Sequence, residues 1–119
     1  MQKEQLIDVN AAQQALLIDE HTILELVYQF LDDKEHYTEP LKSSLAQRDW
    51  KNLIAYAHRI KGAANNLRVH GIGDPALHLE HAAEKQEVDA CRRYIQLIEQ
   101  RFSEIMQILN QADESIEKG

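Results

Sequence analysis

An all-α fold, an antiparallel four-helix bundle with one or two short helices at its N-terminal end, is what this 119-residue sequence predicts. Three observations predict it. Only two prolines and four glycines occur, and Ala, Leu, Ile, Glu and Gln dominate, a composition that favours helix over strand. Apolar residues recur at three- and four-residue spacing, and no segment alternates with period two. The breaks between periodic segments are short, which makes consecutive helices antiparallel neighbours. The chain is long enough to bury one core without staples, so 1–119 is expected to be a single domain, with 1–8 and 113–119 as flexible ends.

The elements follow in order. The first, about 9–17, is short. Asp19 can cap the next helix, where Ile23, Val27, Phe30 and Leu31 recur at helical spacing. Charged residues at 32–36 mark a break. Tyr37, Leu41 and Leu45 then carry a further stripe, with Pro40 near its start. Asp49 can cap a helix over roughly 50–67. The GIGDP stretch at 71–75 reads as a boundary, with Asp74 as the cap and Pro75 in the first turn, where a missing N–H costs little. Ile72, Ala76, Leu79 and Ala83 nonetheless continue an apolar face across it, so part of 69–74 stays open to helix. The last helix, about 88–112, is the clearest, because Cys91, Ile95, Ile98, Phe102, Ile105 and Leu109 form one continuous stripe. Cys91 is expected to pack there as a small apolar residue.

Composition also bounds the function. The hydrophobic fraction of 44% excludes wholesale disorder. One cysteine cannot form an internal disulfide, which suits a reducing compartment. No apolar run reaches membrane-spanning length, so no direct membrane insertion is expected, and MQKEQLIDVN lacks the basic and apolar regions of a signal peptide. The expectation is a soluble, cytoplasmic piece, with any membrane anchor outside it.

The net charge of −7 argues against general nucleic-acid binding. Its distribution says more. Between 48 and 68 stand five basic residues (Arg48, Lys51, Arg59, Lys61 and Arg68) and one acid, Asp49. An acidic chain has kept one positive neighbourhood.

That neighbourhood contains AHRIKGAANNL, residues 57–67. At about 100° per residue, Leu53, Ala57, Ile60, Ala64 and Leu67 cluster within roughly 80° as the core face. His58 lies about 140° from the centre of that cluster, and Lys61, Gly62 and Asn65 fall within about 60° of His58. Ile54 shares the outer face, one turn earlier. A solvent-facing histidine or lysine ordinarily does no more than keep a helix face wet. Gly62 is different, because glycine inside a helix costs roughly 1 kcal/mol relative to alanine. One turn from an exposed histidine, it gives close access to the imidazole, with a cation at i+3.

This combination suits phosphoryl chemistry. A neutral imidazole is nucleophilic near physiological pH. Attack on phosphorus by one ring nitrogen gives a phosphohistidine, whose dianionic group Lys61 can steady as a point charge. The chain has no GxxxxGK[ST] loop, kinase signature or carboxylate cluster for Mg²⁺. Metal and phosphoryl donor must come from elsewhere.

His58-x-x-Lys61-Gly62, followed by small residues and Leu67, resembles the phosphoacceptor signature of histidine-containing phosphotransfer (HPt) domains of bacterial multistep phosphorelays. The likeness extends to Leu41, Leu45, Asp49 and Leu53 upstream, and to Leu79, Glu80, Ala82 and Ala83 downstream, which fit an "LE.AA" pattern. The resemblance implies a helical bundle of this size. It implies that His58 accepts a phosphoryl group from a receiver-domain aspartate and passes it to another, without ATP-dependent kinase activity of its own. Lys61 carries over as the phosphate-stabilising cation and Gly62 as the residue permitting close approach. Ile54 becomes a candidate for the apolar docking surface, with Arg59 and Asn65 at its rim. No cofactor of its own is implied, since the receiver brings Mg²⁺. The implied partners are response-regulator receiver domains and a hybrid sensor histidine kinase, which would tether the domain at the inner membrane if it is part of one, and a monomer is expected. One departure stands out: where many members carry glycine, six residues after Gly62, this chain has Arg68, which either caps the helix end or joins the positive docking surface.

Two other classes fit parts of the sequence. A metal-binding bundle could use His78, His81 and Glu84, or Asp33 and His36, at zinc-like spacing, but the paired Glu-x-x-His set of di-iron bundles is missing. A non-catalytic helical adaptor could keep the docking face alone, but His58, Lys61 and Gly62 are intact.

Overall fold

A computed structural model describes residues 20–118, with side chains to Gln111. The helix expected at 9–17, the Asp19 cap and the end at 1–8 lie outside the described residues. Among the described residues there are five helices and no strand: α1 (Glu20–Asp32), α2 (Lys34–Ala46), α3 (Trp50–Asn66), α4 (His70–Glu84) and α5 (Val88–Lys118). Helices α2 to α5 close a ring, α2 on α3, α3 on α4, α4 on α5 and α5 on α2, while α1 packs on α5. This is the antiparallel four-helix bundle with one helix before it.

The stripes read from the sequence form the core. Ile23, Val27, Leu41, Leu53, Ile60, Ile72, Leu79, Ile98, Phe102 and Ile105 are all at most 1% exposed. Each such side chain contributes about 1.5–3 kcal/mol of transfer free energy, which outweighs the weak intrinsic preferences of the individual helices. Cys91 is buried and unpaired in this core, and burial pushes its thiol pKa up. Phe30 of α1 lies 5.0 Å from both Tyr37 of α2 and Phe102 of α5, an aromatic cluster that ties three helices together.

Three boundaries differ from the expectation. The break at 32–36 shrinks to Asp33, whose N–H still reaches Gln29 O and whose carbonyl still accepts from Tyr37. Pro40 accordingly sits in the interior of α2, not near its start. The boundary at 71–75 is helix. α4 begins at His70, with Val69 as its N-cap, and Pro75 is inside it. Neither Asp74 nor Pro75 starts the element, because the carbonyl that Pro75 leaves bare finds its donor in α5. Helix α5 runs to Lys118, past residue 112.

The three turns that join α2 to α5 in succession share one construction. Arg48, Arg68 and Gln86 have φ of 56°, 57° and 57°, the left-handed region. The N–H of each reaches the carbonyl three residues back (Leu45, Asn65, Ala83), and the next N–H reaches five back (Ser44, Ala64, Ala82). These paired bonds are Schellman caps. Asp49 and Val69 close one helix and serve as N-cap of the next, so each turn is only three residues long. Three-residue turns leave antiparallel packing as the arrangement for α2 to α5. Among the described residues no helix is long and apolar enough to cross a membrane.

Candidate functional site

The rotation of α3 about its axis sets the site. Asp49 accepts from the Asn52 N–H at 3.3 Å and starts the helix; Leu53, Ala57, Ile60 and Ala64 are buried and fix the inward face. His58 is thereby turned outward, its side chain 67% exposed. It stands at the flank of α4, where Glu80 meets it.

Glu80, which the sequence marks as part of the "LE.AA" pattern and not as a site residue, meets both His58 and Lys61. Its Oε1 lies 3.0 Å from His58 Nδ1, and its Oε2 accepts from Lys61 Nζ at 2.7 Å. Only 12% of its side chain is exposed. Burial pushes the Glu80 pKa up, but the hydrogen bonds and charges of Lys61 and His58 outweigh it and hold the carboxyl below its ordinary range. An ionised carboxylate only accepts, so neutral His58 carries its hydrogen on Nδ1 and keeps the Nε2 lone pair. Among the described residues Nε2 has no protein partner.

The antiparallel register brings these groups together. Seven residues back along α3 from Asn65 to His58 match seven residues forward along α4 from Gly73 to Glu80. At the first of these levels, a Cβ on Gly73 would overlap Asn65 Oδ1. Gly73 thus lets α4 run close to α3, and Asn65 is half-buried against it rather than on an open rim.

At Gly62 an added Cβ would meet nothing within 4 Å. Packing does not require glycine there. Its cost of about 1 kcal/mol relative to alanine is therefore unexplained by the fold and consistent with a partner that approaches His58 closely.

The remaining candidates divide. Arg59 Nη2 donates to His36 Nε2 at 3.0 Å, and its guanidinium lies 5.7 Å from the Tyr37 ring centroid, so it leans on α2 beside His58's helix face. Ile54 is half-buried and packed against the core, which accounts for part of the side chain that the outer-face reading left over. Arg68 caps α3 with its backbone, in the left-handed conformation that favours glycine; its side chain is half-buried, with Nε unpartnered among the described residues. Lys61, 23% exposed, is linked to the imidazole through their shared partner Glu80.

The sequence held one further signal for Glu80. It falls on the buried stripe of α4 among Ala76, Leu79 and Ala83, and an acid on an apolar face is the informative exception. The zinc-like spacings do not converge: His78 stacks on Tyr94 at 5.5 Å, His36 receives Arg59, and among the described residues no three His, Cys, Asp or Glu side chains gather for a metal.

Residues 25–114 match the Hpt domain family model. A histidine-containing phosphotransfer protein of Arabidopsis thaliana is 25% identical over 104 residues, covering 83% of this chain and 68% of that protein. Among solved structures, the HPT domain of a sensor hybrid histidine kinase from Shewanella superposes with a TM-score of 0.72 at 16% identity, over 93% of this chain and 96% of that one. A histidine-containing phosphotransfer protein from maize gives 0.77 at 21% identity, over 98% and 91%. These likenesses establish the helical-bundle fold, and the family match covers most of the chain. The chain belongs to the Hpt domain family, the phosphorelay intermediates of two-component signal transduction.

Proposed function

We propose that His58 is the phosphoacceptor, taking the phosphoryl group from a receiver-domain aspartate on Nε2 and returning it to another. One observation carries this reading: Glu80 holds Nδ1–H, which leaves Nε2 as a free, exposed nucleophile beside the open space at Gly62. Lys61 supports the transferred group. Its ammonium has three donors and spends one on Glu80, so it can hold the carboxylate and a phosphoryl oxygen together. Gly62 clears the approach.

The donor is a macromolecule. The clefts lined by Leu31, Phe102 and Met106 and by Leu45, Arg92 and Ile95 do not include His58, which stands on an open helix face. Such a face suits a protein surface better than a small nucleotide. Ile54 and Arg59 on α3, with the half-buried Asn65 near its C-terminal end and Arg68 in the turn that follows, supply apolar contact, a polar group and positive charge for response-regulator receiver domains, which are acidic at their reacting aspartate. The receiver brings the Mg²⁺, and a hybrid sensor histidine kinase is the upstream source. The domain works as a monomer, because the acceptor needs no second copy to complete it.

The test mixes the full chain with a phosphorylated, radiolabelled receiver domain. Acid-labile, base-stable label is expected on wild type and none on His58→Gln. Ordinary labelling of that variant would overturn the assignment, and no label on wild type from any of several receivers would favour a non-catalytic adaptor.

A further inference from the structure

Glu80 touches both working side chains through separate oxygens, His58 through Oε1 and Lys61 through Oε2. It sits on the ring edge opposite the nitrogen that reacts. What it does there depends on how charge moves in the reaction, so the inference rests on the phosphotransfer reading above.

The balance is simple. Nε2 of neutral His58 attacks the phosphorus of an aspartyl phosphate. The Nε2–P bond forms, the P–O bond to the aspartate breaks, and the aspartate leaves as a carboxylate with the electron pair. No proton moves, because Nδ1 keeps its hydrogen, so the imidazole ring passes from neutral to cationic. In the return step a receiver carboxylate attacks phosphorus, the N–P bond breaks, and the pair goes back to Nε2.

A negative carboxylate on Nδ1–H stabilises the cationic ring more than the neutral one. We propose that Glu80 is a positioning residue whose negative charge, delivered through the Nδ1–H bond, sets how strongly His58 holds the phosphoryl group and hence which way exchange with a receiver aspartate runs. Geometry and charge are separable here. A glutamine amide oxygen can accept the same bond without the charge, and alanine removes both. The burial of Glu80, 12% exposed, keeps water from screening the effect as it would on an open surface.

The experiment brings wild type, E80Q and E80A to equilibrium with a receiver domain phosphorylated by an acyl phosphate and then freed of it. The ratio of labelled histidine to labelled aspartate is read, with nitrogen-15 NMR of the unphosphorylated ring as a check on tautomer. E80Q should keep the Nδ1–H tautomer yet move the ratio toward the receiver about tenfold, the difference between a charge-assisted and a neutral hydrogen bond. E80A should move it at least as far and lose the tautomer preference. A ratio in E80Q equal to wild type, with only E80A displaced, would mean that Glu80 acts by geometry alone and would overturn the proposal. If E80Q does not fold, E80D against E80A decides: charge predicts that E80D lies nearer wild type, and equal displacement overturns the idea. Wild type that takes no label removes the phosphotransfer reading and this inference with it; label on wild type with unchanged ratios removes this inference alone.

Discussion

Arg101 Nη1 of α5 donates to the Gly71 carbonyl of α4 at 3.3 Å. In a regular helix that carbonyl would receive the N–H four residues on, which is position 75, and Pro75 has none. A buried carbonyl without a partner costs about 1–3 kcal/mol, and Gly71 is buried. A cation from the neighbouring helix replaces the missing donor.

Arg101→Ala should therefore destabilise the domain by about 1–2 kcal/mol in urea unfolding. In the Pro75→Ala background, where the helical N–H is restored, the same change should cost clearly less. Equal losses in both backgrounds would show that Arg101 stabilises in some other way.

Gly62→Ala separates folding from function. No atom opposes the added methyl, so unfolding should show a gain of about 0.5–1 kcal/mol. Transfer from a phosphorylated receiver should slow by tenfold or more, since the methyl stands where the partner approaches His58. A variant both more stable and fully active would remove Gly62 from the site.

Arg68→Gly acts through the backbone. A non-glycine residue in the left-handed region costs about 1–2 kcal/mol, and the extra freedom of glycine in the unfolded chain returns about 0.4–1 kcal/mol of that. The melting temperature should rise, by a net stabilisation of about 0.5–1 kcal/mol. If the variant is less stable, the half-buried Arg68 side chain contributes more than its strained backbone costs.

Glu80 gives an acid dependence of defined sign. Its folded pKa lies below the unfolded value, so as pH falls the unfolded chain takes up the proton first and the folded state loses its advantage. The stability that Glu80 contributes is complete above the ordinary glutamate range and is lost as pH falls through the lower folded value. Urea unfolding across acid pH should show the gap between wild type and Glu80→Gln narrowing over that window. A gap constant with pH would contradict an ionised Glu80 held between His58 and Lys61.

The line between sequence and tertiary structure runs between local and non-local geometry. The helical period is a property of consecutive residues. The spacing of Leu53, Ala57, Ile60 and Ala64 therefore determined the inward face of α3, and the i, i+3, i+4 spacing of His58, Lys61 and Gly62 placed all three outward together. Asp49 as the N-cap was legible for the same reason. Arg68 was legible at the helix end only as a cation; the Schellman turn it forms lies in backbone dihedrals that arginine does not favour. Pro75 suggested a helix start because its missing partner, Arg101, comes from a helix far along the chain. Glu80 depends on the antiparallel register of α3 and α4, which the three-residue turn and the close passage of Gly73 beside Asn65 decide. Sequence by itself settled the bundle and the outward face that carries His58; only packing chose the carboxylate behind it, since one residue of slip would carry Glu80 about 100° around its helix and off His58.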